Sequence, residues 1–360
     1  MTATEPAISH DEVDLDGVLH VIDQHSDVLF TWDYERSRPA LVKLYEKAKT
    51  SQWNASTDLD WSTAVDLEKI VAESQAAFAD VDPLRADPDS PLRSWSEAQW
   101  IEFGINMQTY ALSQFLHGEQ GALICTAKIV ETVPWIDAKY YASTQVMDEA
   151  RHVEVFAKYL DTKLSGYYPV NTHLKLLLDD IVQDSRWDMT YLGMQIMVEG
   201  LALAAFGFMH QMTTEPLLKK LLRYVMSDEA RHVAFGVLSL QDYYKDLSDA
   251  EILERQQFAF EAAVRMRDRF LQQEVWERMG VPVKEAIELV MRTPSRQMFQ
   301  MMLFSKIVPN CKKLGLLDRN DAWLRRRFEE IGVIQFEDWV DTGDEYEQFA
   351  LNEQDLKASA

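Results

Sequence analysis

Asp148-Glu149-Ala150-Arg151-His152-Val153 recurs, letter for letter, as Asp228-Glu229-Ala230-Arg231-His232-Val233, 80 residues further along the chain. Each copy lies in the middle of a segment whose apolar residues recur at intervals of three and four, the signature of an amphipathic helix. Each copy holds a Glu-x-x-His: Glu149 with His152, and Glu229 with His232. Positions i and i+3 share one face of a helix, so both side chains of a copy can reach the same metal pair.

Working outward, two single glutamates stand at matching offsets. Glu119 precedes Glu149 by 30 residues, and Glu199 precedes Glu229 by 30. The midpoints fall at Pro134 and at Thr214, beside Pro216, both turn signals. Each half therefore reads as a helical hairpin rising roughly 20 Å, turning, and returning by the same length, at about 1.5 Å per residue. The two glutamates of each hairpin end level. Two such hairpins make a four-helix bundle with a Glu-x-x-His on two helices and a lone Glu on each of the others, the ligand pattern of di-metal carboxylate bundles.

Local composition points the same way. Glu119 sits in His117-Gly118-Glu119-Gln120-Gly121-Ala122-Leu123, and Glu199 in Met197-Val198-Glu199-Gly200-Leu201-Ala202. A carboxylate among small and apolar helix residues is costly unless it is paired or metal-bound. The alternative reading is a pair of buried Glu/Arg/His salt-bridge networks without metal. His210 lies about three turns, roughly 16 Å, from Glu199 and reads as a core or surface histidine.

The rest of the chain reads as an all-α protein, a four-helix bundle with additional N- and C-terminal helices. Residues 1–92 form a helical extension and linker, with helices expected at Val13–Leu29, Ala40–Lys49 and Thr63–Phe78. Residues 93–280 hold the bundle, at Ser94–Thr132, Trp135–Leu164, Arg186–Met212 and Pro216–Tyr244. A crossover helix at Thr172–Gln183 and a fifth helix from Ser248 to Met279 complete this segment. Residues 281–360 form a C-terminal helical segment that ends, from Gln335, in a poorly packed acidic tail.

Thirty-six basic against 59 acidic residues leave a formal net charge of −23, which argues against nucleic acid or an anionic membrane as partner. Thirteen Gly and 11 Pro in 360 residues suit long helices. Cys125 and Cys311 build neither a disulfide framework nor a zinc cluster, and Cys125 reads as a small core residue. The acidic N-terminus has no apolar leader core, so a cytoplasmic location is expected. Leu192–Met212 is mostly apolar but carries Gln195, Glu199 and His210, which are expensive in lipid; it reads as a buried bundle helix.

At the repeated motif and its partner glutamates, over roughly residues 95–280, the chain resembles the ferritin-like di-iron carboxylate superfamily. That group includes multicomponent hydroxylases, acyl-carrier-protein desaturases, ribonucleotide reductase small subunits and arylamine N-oxygenases. The resemblance implies metal ligation by Glu119, Glu149 and His152 on one half and by Glu199, Glu229 and His232 on the other, with Glu149 and Glu229 bridging. It places Asp148 and Asp228 against the metal-bound histidines, and Arg151 and Arg231 as neutralisers of the four-glutamate cluster. Four positions depart from subgroup patterns. Phe156 stands where radical-generating subunits carry tyrosine. Ala202 and Leu203 stand where many hydroxylases and desaturases carry threonine. Val225 stands where arylamine N-oxygenases carry a further histidine.

The resemblance implies two iron ions, with Mn/Fe an equally acceptable pair for this O/N ligand set. The expected activity is an O₂-dependent oxidase or monooxygenase acting on a small organic substrate by hydroxylation, N-oxygenation or desaturation. A ferroxidase or metal-storage role and a radical-generating subunit are the alternatives. An electron-donor protein or reductase and a homodimeric partner are compatible; nucleic acid and membrane are not expected. Residues at helical spacing from the ligands, Ala122, Leu123, Phe156, Ala202, Leu203 and Phe206, are the expected apolar substrate pocket.

Overall fold

Ser96, Pro134 and Pro216 set the bundle's frame. Ser96 caps the first long helix in a reciprocal capping box with Gln99, satisfying two otherwise orphaned backbone donors. Pro216 opens the last at N1, where its missing N–H costs nothing, and the Glu215 carboxylate accepts from Leu217 N at 2.7 Å and Leu218 N at 2.5 Å. The computed structural model describes residues 19–78, 87, 90–164 and 166–352. Among them there is no strand.

The elements are α1 (Pro39–Thr50), α2 (Leu67–Phe78), α3 (Glu97–Thr132), α4 (Ile136–Tyr159, continued by a π turn over Leu160–Leu164) and α5 (Thr172–Gln183). A long helix α6 follows, Trp187–Met212, then α7 (Pro216–Tyr243), α8 (Asp249–Asp268) and α9 (Gln273–Arg278). Short helices close the chain: α10 (Val283–Met291), α11 (Pro294–Met302), α12 (Ile307–Lys313), α13 (Arg319–Glu330) and α14 (Thr342–Glu345). Helices α3 and α4 pack as one hairpin and α6 and α7 as the other, with the turns over 133–135 and 213–215. Helix α6 is long and apolar enough to cross a membrane, but its most apolar window is 78% buried, so it serves as a bundle core helix.

Helix α6 is irregular where the site is built. Leu192–Val198 is wound as a π turn, and the Glu199 N–H bonds back to Met194 O. One extra residue in a turn rotates all that follows by about 100°, which sets the direction of Glu199. The strip of α7 facing this turn needs glycine: a Cβ on Gly236 would stand 2.7 Å from Gln195 Cβ and 3.0 Å from Ile196 Cδ1.

Several expected elements differ. The helix expected over Val13–Leu29 is absent from residues 19–29, and 13–18 lie outside the described residues. Residues 19–38 instead run irregularly along the surface, held by Leu29 N to Glu131 O at 2.8 Å and Thr31 Oγ1 to Pro134 O at 2.7 Å. Leu19 and Val21 are 61% and 83% exposed, so no apolar face is buried to stabilise a helix there. The fifth helix breaks at Arg269–Gln272, where Gln272 adopts a left-handed conformation (φ 57°). The region after Gln335 is not a loose tail as far as residue 352. Phe336 and Tyr346 are buried, and Arg223 donates to Phe349 O at 2.7 Å and Ala350 O at 2.9 Å. The sequence is acidic there, but its aromatic residues supply the anchors. One continuous core joins Leu41, Leu44 and Trp53, the bundle, and Phe304, Phe328 and Phe336.

Candidate metal centre

The helical frame brings Glu119 (α3), Glu149 and His152 (α4), Glu199 (α6) and Glu229 and His232 (α7) to one level, each buried. Two groups of donor atoms form, each within 4.8 Å: Glu119, Glu149, His152 and Glu229 in one, Glu149, Glu199 and His232 in the other. Both histidines turn Nδ1 inward. His152 Nδ1 lies 3.2 Å from Glu119 Oε2, 3.4 Å from Glu149 Oε2 and 3.0 Å from Glu229 Oε1. His232 Nδ1 lies 3.0 Å from Glu149 Oε1 and 3.6 Å from Glu229 Oε1. Glu149 and Glu229 thus each face both rings, the position a bridging carboxylate needs. Glu149 Oε2, Glu199 Oε2 and both Glu229 oxygens are buried without a hydrogen-bond donor, a state that divalent cations relieve.

The outward nitrogens are held crosswise. His152 Nε2 meets Asp228 at 3.2 Å, and His232 Nε2 meets Asp148 at 3.3 Å, so each copy of the motif orients the other copy's ring. This fixes Nε2 as the protonated nitrogen and leaves Nδ1 as donor toward a metal. The arginines serve these aspartates rather than the glutamates, contrary to the role the resemblance implied. Arg151 Nη2 donates to Asp148 at 2.5 Å and to Asp228 at 2.9 Å; Arg231 donates to Asp228 and to Ser227 O at 2.9 Å. Their side chains point away from the centre because Arg at i+3 from Asp shares the aspartate's face.

Electrostatics reflect four glutamates in a dry core. Burial, and then the neighbouring Glu229, raise Glu119 well above the usual carboxylate range; burial and Glu149 do the same to Glu199. For Glu149 burial is outweighed by His232 and His152, which hold it low. Burial opposes charge on His152, but Asp228, Glu119, Glu149 and Glu229 together raise it well above its ordinary value. Burial is likewise outweighed at His232 by Glu149 and Glu229. In the metal-free protein Glu119, Glu199, His152 and His232 therefore hold protons more tightly than free side chains do, and a metal must displace them. Metal binding is expected to release protons, and its affinity to rise with pH. Calorimetric titration with ferrous iron in buffers of different ionisation enthalpy measures the number released; a value of zero contradicts this.

The expected pocket residues separate. Ala122 and Ala202 line a cavity of about 10 Å³ beside the glutamates, together with Gln114, Phe115 and Arg269. Phe156 and Phe206 instead pack with Phe115 in an aromatic cluster, at ring separations of 4.6–6.0 Å. Leu203 is buried core and Leu123 half-buried, and neither lines a cavity beside the donors. His210 belongs to neither donor group.

With this geometry in hand, comparison with known proteins is informative. Residues 35–315 match the family model of the p-aminobenzoate N-oxygenase AurF. The chain belongs to this family. No curated protein matches it. Among solved structures it is similar to an R2-like ligand-binding oxidase with aerobically reconstituted metal cofactor after photoconversion. Identity is 16%, over 78% of this chain and 94% of that one, with a TM-score of 0.51. A point mutant of an R2-like ligand-binding oxidase with a Mn/Fe cofactor gives the same identity, coverage and score. At that identity the likeness shows a shared fold.

Membership in the N-oxygenase family coexists with one departure. Val225, where the arylamine N-oxygenases were expected to carry a further histidine, is fully buried and apolar one turn before Glu229. Sequence reasoning also missed three contributors. Gln145 Nε2 bridges Glu149 and Glu199 at 2.9 Å each, and its only signal was a polar residue one turn before a ligand. Gln52 and Trp53, in the turn after α1, reach the aspartates: Gln52 Nε2 to Asp148 at 2.9 Å and Trp53 Nε1 to Asp228 at 2.7 Å. Nothing local in the turn between α1 and α2 announces that contact.

Proposed function

We propose that this protein is a dinuclear iron oxygenase that uses O₂ to oxidise a small organic amine, N-oxygenation being the reaction of the family's namesake. Glu119 and His152 would hold one ion, Glu199 and His232 the other, and Glu149 and Glu229 would bridge. The observation that carries the reading is the pair of glutamates, each facing both histidines, in a core where three of their four oxygens have no hydrogen-bond donor. When bound, a ferrous pair supplies the electrons that activate O₂.

The chain's own residues do the rest. Asp148 and Asp228 accept from the histidine Nε2–H groups and keep the Nδ1 atoms aimed inward. Gln145 ties Glu149 to Glu199, limiting their swing. The Phe115, Phe156 and Phe206 cluster keeps water from the open side of the glutamates. A reductase partner that returns the pair to the ferrous state, and dimerisation, are part of the proposal.

Oxygen-electrode measurements on the iron-loaded protein with a panel of aromatic amines test it. An accepted amine is expected to accelerate O₂ uptake by about tenfold or more, about 1.4 kcal/mol in the barrier, with oxygen found in the product by mass spectrometry. Uptake that proceeds at one rate with or without any amine returns the ferroxidase reading.

A further inference from the structure

Phe115 borders two spaces at once. One is the cavity of about 10 Å³ beside Glu119, Glu199 and Glu229; the other is a trough of about 380 Å³ walled by Phe103, Phe208, Phe270 and Phe299. The inner cavity has room for about one water molecule, so the body of any organic ligand must lie in the outer space. Two small side chains, Ala111 of α3 and Ala205 of α6, leave the trough open, and aromatic residues after α8 form part of its wall. Aromatic walls of this kind suit flat rings, which they meet edge to face or offset.

The trough continues outward. Met107, Ala111, Met209 and Met212 are shared with a further space of about 720 Å³, which reaches α2 at Ile70 and Val71. Most of the shared residues are methionines, whose unbranched side chains adapt to ligands of differing outline. Gln108, Gln211, Thr213 and Thr214 line the outer space. Each space is by itself large enough for a drug-sized molecule, and a one-ring amine would leave most of the trough unfilled.

Charge is as informative as size. Among the described residues no lysine, arginine or histidine lines the trough or the outer space, and the one charged side chain there is Glu73. Its neighbour Lys69, 3.9 Å away, is 68% exposed and lies outside the lining. An anionic group placed in the trough would give up its hydration with no cation to meet it, which is strongly unfavourable. Neutral hydroxyl or amide groups fare better, because the Gln and Thr side chains of the outer space both donate and accept.

We propose that the ligand of this protein is an elongated, uncharged arylamine at least two rings long. Its apolar body lies in the trough, its amino end against Phe115, and a neutral hydrogen-bonding end among Gln108, Gln211, Thr213 and Thr214. This rests on the oxygenase proposed above and adds the ligand's length and charge. It departs from the one-ring anion in the name of the family model: the chain keeps a common donor set, while its outer spaces suit a different molecule. The amino end reaches the glutamates only when the Phe115 ring turns aside.

Calorimetry on the ferrous protein kept free of O₂ tests this with 4-amino-4′-(hydroxymethyl)biphenyl, 4′-aminobiphenyl-4-carboxylate, aniline and 4-aminobenzoate. The biphenyl alcohol is expected to bind at least tenfold more tightly than each of the others. A smaller margin over the biphenyl carboxylate overturns the assigned charge, and a smaller margin over either one-ring amine overturns the assigned length. Ala111→Trp fills the junction of the two outer spaces and should lower affinity for the biphenyl alcohol by tenfold or more with both metal ions retained. Met212→Trp narrows the same junction from a residue that is 48% exposed, so it stays informative if the first variant fails to fold. Unchanged affinity in Met212→Trp overturns the proposal. Glu73→Lys sets a cation beside the outer space and should raise affinity for the biphenyl carboxylate by threefold or more, leaving the alcohol unchanged; no gain refutes the orientation. Tight binding of the biphenyl alcohol without stimulated O₂ uptake leaves this inference standing and sinks the oxygenase. Uptake stimulated as strongly by 4-aminobenzoate as by the biphenyl alcohol does the opposite.

Discussion

Glu149→Ala and Glu229→Ala are each expected to empty the centre of both metal ions, whereas Glu119→Ala and Glu199→Ala leave one ion bound. Glu149 and Glu229 face both histidine rings, while Glu119 approaches only His152 and Glu199 groups only with His232. Removing a bridging carboxylate leaves two cations facing each other with one carboxylate between them. Mutual repulsion of two divalent charges about 4 Å apart is on the order of 15 kcal/mol in a moderately polarisable interior. By comparison, Asp228→Asn, which touches only an orienting hydrogen bond, should weaken binding by ~10–100-fold. Metal content after gel filtration, by elemental analysis, reads all five variants. Two ions per chain in Glu149→Ala would sink the bridged arrangement.

Arg231→Met should destabilise the fold by ~3–5 kcal/mol, the usual result of breaking a buried ion pair from one side. Arg231 is 1% exposed, and Asp228 and Asp148 between them receive both arginines, both histidine Nε2 atoms, Trp53 and Gln52. Losing one cation leaves two carboxylates sharing the other. The urea midpoint should therefore fall sharply, and fall less in the double variant Arg231→Met, Asp228→Asn, because the stranded charge is gone. Lys245→Met, which breaks a pair open to solvent, should leave the midpoint unchanged. A single Arg231→Met variant as stable as its parent would mean the quartet carries no net stabilisation.

The bundle was legible because its signals are local and repeated. Two identical hexapeptides, two lone glutamates at equal offsets and a turn at each midpoint specify helix pairing without long-range information. The six donors followed from those offsets. What lay hidden depends on contacts between distant segments. Gln52 and Trp53 meet the aspartates across 96 and 175 residues, and no periodicity encodes that. Arg269, at the end of a charged helix, is 1% exposed, and nothing in its local spacing announces that. The expected pocket went astray at Phe156 and Phe206 for a related reason. Helical spacing gives a side chain's face, but whether that face meets space or another ring depends on Phe115 from a different helix.

The crosswise hold of Asp148 on His232 and of Asp228 on His152 bears on how such a repeated motif can change through descent. In most duplications the two copies are free to diverge, because damage to one leaves the other intact. These copies lack that freedom. A substitution of either aspartate also reaches the opposite hairpin, at a histidine whose own hexapeptide is untouched. The two hairpins therefore share one constraint: each must keep an aspartate for the sake of the imidazole carried by the other.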